Sequence, residues 1–138
     1  MCSDDTYVYL ISGCEGDKCK NDCYRYDSKT NLWSALSPMN RERSQAAAVY
    51  FNGKLYVFGG YTSNRCLSSC EILTLSTNEW IISINGIQNE LNIPRVGVGI
   101  TVCKEKLYVI GGFDGRNFLK SIEVYDENSQ RMKLSYNK

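Results

Sequence analysis

Leu55-Tyr56-Val57-Phe58-Gly59-Gly60 is an apolar run that stops on two glycines, and the chain repeats it twice. Val8-Tyr9-Leu10-Ile11-Ser12-Gly13 lies upstream and Leu107-Tyr108-Val109-Ile110-Gly111-Gly112 downstream. Twenty positions beyond the last glycine of each stand Trp33, Trp80 and Met132. One ruler kept three times is an internal repeat, and it sets the architecture before local propensity is weighed. The Val, Ile, Leu and Tyr content marks each run as a short buried strand.

Working outward, each run is preceded by a turn, at Asn52-Gly53, Lys104-Glu105 and Asp5-Thr6. Asn-Gly between apolar runs is a strong hairpin signal because both central residues must accept positive φ. Before the second and third turns lie strands of small residues, Gln45–Tyr50 and Gly97–Val102, which implies a neighbour packed close. The first copy starts too near its turn to hold such a strand, so two full copies and one lacking its opening strand are expected. After each glycine comes a polar loop, at Glu15–Asn21, Thr62–Ser68 and Asp114–Lys120. A third strand follows at Cys23–Tyr26, Cys70–Leu73 and Ile122–Tyr125, then a turn opened by Asp27, Thr74 or Asp126. A carboxylate there caps backbone N–H groups. The fourth strand carries Trp33, Trp80 or Met132. The copies recur 47 and 52 residues apart, and the five extra residues fall between Ile82 and Ile93, which reads as a surface loop.

Composition narrows the function. The 138 residues carry a net charge of +1, so nothing in the overall balance calls for nucleic acid or an anionic membrane. No apolar stretch is long enough for a membrane helix, and the Met1–Asp5 start lacks signal-peptide character; a cytoplasmic protein is expected. Seven cysteines is an odd number for a disulfide framework. The pairs Cys19/Cys23 and Cys66/Cys70 have a spacing that invites zinc. In the third copy, however, Phe118 and Ile122 hold the same positions, so the thiols read as small buried hydrophobes. The chain has no histidine, which removes the usual acyl-transfer bases and weakens any metal or cofactor reading.

The recurring double glycine, the Tyr-Asp after the third strand and the spaced Trp resemble kelch repeats, over nearly the whole chain from Tyr7 to Met132. The resemblance implies an all-β fold of four-stranded antiparallel blades, an incomplete β-propeller of about three blades. It would occupy 1–138 as one unit, with repeats at about 1–40, 41–92 and 93–138. Gly13, Gly59, Gly60, Gly111 and Gly112 are then structural markers, set innermost. Trp33 and Trp80 are expected to wedge between blades. Ser12 for glycine and Met132 for tryptophan depart from the pattern.

Similarity to kelch proteins also implies a non-enzymatic module that holds protein segments on its loops. The loops after the glycines and those before the small-residue strands should share one face. That face gathers Lys18, Tyr61, Asn64, Arg65, Phe113, Asp114, Arg116 and Asn117 with Arg41 and Gln45, and a basic residue recurs in each copy. Arginines of this kind would grip an acidic or phosphorylated peptide by paired hydrogen bonds. Arg43 and Arg95, at one repeat position, read instead as structural. The family implies a substrate receptor of a cullin-RING ubiquitin ligase, joined through a BTB region outside this chain, or alternatively an actin-binding scaffold.

Overall fold

The computed structural model describes residues 1–82 and 90–137. Strands β1 (Cys2–Ser3), β2 (Tyr7–Glu15), β3 (Lys18–Asp27) and β4 (Leu32–Leu36) pair in that order as one antiparallel sheet. Next come β5 (Ala47–Phe51), β6 (Lys54–Phe58), a small ribbon of β7 (Tyr61–Thr62) and β8 (Arg65–Cys66), then β9 (Cys70–Thr74) and β10 (Glu79–Ile82). The four longer ones form the second sheet. The third is β11 (Gly99–Cys103), β12 (Lys106–Ile110), β13 (Ser121–Asp126) and β14 (Arg131–Asn137). These are the expected blades. No helix among the described residues is long and apolar enough to cross a membrane.

Turn chemistry sets the strand ends. Asn52 and Gly53 hold φ of 48° and 73°, and Lys104 and Glu105 adopt 47° and 59° without a glycine to ease them. Asp27 caps its turn through the amides of Lys29 and Thr30, and Asp126 does the same for Asn128 and Ser129. First strands β1, β5 and β11 of neighbouring blades approach one another. Ala47, Ala48 and Gly99 leave room for that approach. The glycine pairs therefore end the second strands rather than sitting innermost, which corrects the expectation.

Two further expectations change. The first blade does have an opening strand, the two-residue β1, because Cys2 and Ser3 still complete a ladder with Tyr9 and Val8. Its predicted loop over Glu15–Asn21 is strand except for the turn at Gly16-Asp17. The surface loop expected at the insertion falls mostly on residues 83–89, outside the described residues.

The largest correction concerns Trp33, which is 57% exposed rather than wedged. The side chain at this repeat position packs backward onto the preceding blade. Met132 packs on Tyr56, Phe58 and Cys70 of the second blade. Trp80 packs among Tyr9, Ile11 and Leu36 of the first and donates from Nε1 to the Ser37 carbonyl at 2.7 Å. Trp33 lies on the face of the first blade that carries Tyr24 and Tyr26, opposite the face where Cys23 packs on Val57 of the second blade. Its ring lies 5.2 Å from Tyr26. Leu10 and Tyr24 share its face by strand register and are exposed with it.

Candidate functional site

The joints between blades are built by the segments that lead from one to the next. Arg43 N donates to Lys20 O of the first blade, while its guanidinium reaches Gly59 O at 2.8 Å and Ser69 O at 3.0 Å in the second. It also pairs with Glu71 at 2.8 Å, both side chains fully buried. Glu71 in turn accepts from Asn40 N, Asn40 Nδ2 and Arg41 N. One blade later the arrangement recurs. Arg95 reaches Gly111 O, Ser121 and Glu123, and Glu123 accepts from Asn92 and Ile93. Both arginines are fully buried and spend their guanidinium groups inside the joints. In the first blade Tyr24 occupies the glutamate position.

With the joints fixed, two sets of loops are stitched together. Ser44 and Tyr61 exchange backbone hydrogen bonds at 3.0 and 2.8 Å, and Val96 and Phe113 exchange a pair at 3.0 Å each. Gly97 N donates to Gln45 O across the blades. Between the loops of the second and third blades lies an open cleft of about 830 Å³.

Gln45, Tyr61, Asn64, Arg65, Phe113, Asp114 and Arg116 line the cleft, so seven of the ten candidate residues meet in one place. The other three lie apart. Lys18 borders a smaller hollow with Glu42, Thr62 and Ser63, between the first and second blades. Arg41 is exposed and contributes its backbone N–H to Glu71. Asn117 N donates to Asp114 Oδ1 and Asn117 O receives Asp114 N.

The cleft has cationic and apolar parts. Arg65 and Arg116 are exposed, and neither belongs to an ion pair among the described residues. Asp114 is occupied locally. The amides of Asn117 and Arg116 hold its carboxyl below the usual carboxylate range and shape the loop tip. Phe113 stacks at an angle on Phe118, with ring centres 5.2 Å apart. The apolar lining of Ile93, Pro94 and Val96 was missed in the sequence. Its signal was present, since an apolar pair leads directly into Arg95. Cys66, also on the wall, donates its thiol to Phe113 O at 3.6 Å. Among the described residues no cluster of Cys, Asp and Glu could hold a metal.

Comparison with known proteins supports this architecture. The profile of the KLHDC2/KLHL20/DRC7 Kelch-repeats domain matches residues 1–136. Over 136 residues the chain is 32% identical to a RING finger domain and kelch repeat-containing protein of Dictyostelium discoideum, covering 95% of this chain and 13% of that protein. It is 30% identical to Kelch-like protein 26 of Danio rerio over 79% of this chain and 18% of the relative. Beta-scruin of Limulus polyphemus is 30% identical over 75% of the chain and 12% of its own length. The chain thus spans under a fifth of these relatives. The solved structure of YjhT superposes with a TM-score of 0.74 at 18% identity, over 93% of this chain and 51% of that one.

Proposed function

The chain belongs to the kelch-repeat family, and from that premise we propose that the cleft between its second and third blades captures an acidic or phosphorylated segment of a partner protein. The family's common use as a protein-interaction module supports the broad reading. The finer one rests on one observation: Arg65 and Arg116 stand exposed, without an ion-pair partner among the described residues, in a cleft that Ile93, Pro94 and Val96 also line. A carboxylate or phosphate would be held by the two guanidinium groups, with an apolar neighbour against Tyr61 or Phe113.

Such capture suits the substrate-recognition part of a ubiquitin-ligase adaptor. The Dictyostelium relative carries a RING finger beside its kelch repeats in its own name. Titration of a fluorescein-labelled glutamate-rich peptide, and of its serine-phosphorylated form, tests the cleft directly. Arg65→Glu with Arg116→Glu should weaken binding at least tenfold, since a hydrogen bond to a charged group contributes about 1.5–3 kcal/mol. Lys29→Glu, in the turn after β3, should leave binding unchanged. Equal affinity for the double variant and the parent would remove the proposal. Co-sedimentation with filamentous actin that survives the double variant would favour the scaffold role instead.

A further inference from the structure

The hairpin of β2 and β3 reverses through Gly16-Asp17 alone. Gly16 has φ of 59° and Asp17 stays out of the left-handed region, as a type II′ turn requires. Glu15 faces Lys18 across the turn, and the next pair inward is Cys14 opposite Cys19. In a two-residue hairpin the closing pair is hydrogen-bonded and the next pair is not. At such a site the Cα atoms approach to about 4.5 Å and both side chains leave the same face. That spacing lies inside the disulfide range of about 4.4–6.8 Å. Both thiols are free, Cys14 exposed and Cys19 half-buried.

The Cys19 thiol meanwhile serves the second blade, donating its one hydrogen to Tyr61 O at 3.3 Å with Ser44 Oγ beside it at 3.4 Å. Cys66 makes the matching bond one blade on, but its cross-strand partner is Tyr61. Among the described strand pairings, only Cys14 and Cys19 place two cysteines opposite each other.

We propose that Cys14 and Cys19 form a reversible dithiol–disulfide site, closed by a small-molecule disulfide such as oxidised glutathione, and that closure frees the Tyr61 loop from the first blade. The exposed Cys14 thiolate attacks the glutathione disulfide, forming a mixed disulfide and releasing one glutathione thiolate. Cys19, as thiolate, then attacks the Cys14 sulfur and expels the second glutathione. Two thiol protons pass to the two glutathiones, and two electrons reduce their disulfide. The Sγ of Cys19, now bonded to Cys14, has no hydrogen left to donate to Tyr61 O. This site goes beyond the capture reading and stands without it.

The test treats the purified protein with oxidised glutathione, blocks remaining thiols with N-ethylmaleimide and digests it with trypsin without reductant. Cleavage after Lys18 and Lys20 leaves Cys19-Lys20 attached to the Cys14 peptide only if the bridge exists. The expected product disappears with dithiothreitol and in Cys14→Ser, and persists in Cys2→Ser, which shares the same tryptic peptide. Amide exchange over residues 61–66 should become about tenfold faster in the bridged protein, and remain slow in glutathione-treated Cys14→Ser. Separately alkylated Cys14 and Cys19 would overturn the site. A bridge that leaves exchange at 61–66 unchanged would overturn its effect on the loop.

Discussion

Arg43 and Glu71 meet at 2.8 Å with both side chains fully buried, inside a joint where the arginine backbone is bonded to one blade and its guanidinium to the next. Arg95 and Glu123 repeat the distance one blade later. Taking either charge out of water is expensive, and the arrangement holds because carbonyls and amides surround both. Removing one partner leaves the other buried and unpaired. Glu71→Ala should therefore cost about 3–5 kcal/mol, against a much smaller loss for a well-packed apolar replacement of both residues. Urea unfolding of Glu71→Ala and of Arg43→Met with Glu71→Leu measures the difference. Equal losses would refute it.

Trp80→Ala should cost about 3–5 kcal/mol, because the indole fills the joint between the first two blades and its Nε1 is bonded to Ser37 O. Trp33→Ala should cost no more than about 1 kcal/mol in this chain, since its ring leans mainly on Tyr26. The two variants compared by denaturant midpoint decide whether repeat position or local environment sets the energetic role.

Gly59 holds φ of 63°, and a Cβ there would run into the Arg95 carbonyl oxygen. Gly59→Ala should destabilise by about 1–3 kcal/mol or more. Ser12 occupies the matching position at φ of 63° and turns the same approach to use, its single hydroxyl hydrogen shared between Arg43 O and Lys20 O. Ser12→Ala keeps the strain and loses the donor, so it should be less stable than Ser12→Gly. Thermal melts of the two rank them directly.

The blade interfaces also set a limit on the alkaline side. Burial raises the Tyr56 hydroxyl well above the usual tyrosine value, helped by its bond to Glu127 of the third blade. Tyr9 is raised by burial and by donation to Asp4, and Tyr125 is pushed up to about 12, chiefly by burial. The folded state holds these phenols protonated more tightly than the unfolded chain does. Their stabilisation is complete below about pH 10 and fades as pH rises beyond it. The urea midpoint should fall across that range, and less steeply in Tyr56→Phe. A midpoint that stays flat above pH 10 would contradict this.

Much of this molecule can be read in the sequence because the repeat is a packing rule. The glycines mark where second strands end, the Asn-Gly pair marks a hairpin, and loops of like position fall on like faces, which is why seven candidate residues share the cleft. The joint left a trace that spacing alone exposes: Arg43 and Arg95 each stand 28 positions before a glutamate, Glu71 or Glu123. What stayed hidden depends on neighbours. The exposure of Trp33 follows from which blade lies behind it, and no property of its own segment records that. The long β2–β3 hairpin replaced an expected loop because Gly13 and Gly16 allow the ladder to run on past a bulge after Ile11.

Since β10 and β14 lean on the blade behind them, the two joints have a direction, and damage should travel along them unequally. Melting of the first blade would strip the seat from Trp80 while Met132 stayed in place; melting of the third would unseat Met132 but leave the indole at home. Within these three blades, the order in which protease cuts appear should show whether loss passes from the first blade to the second more readily than from the third.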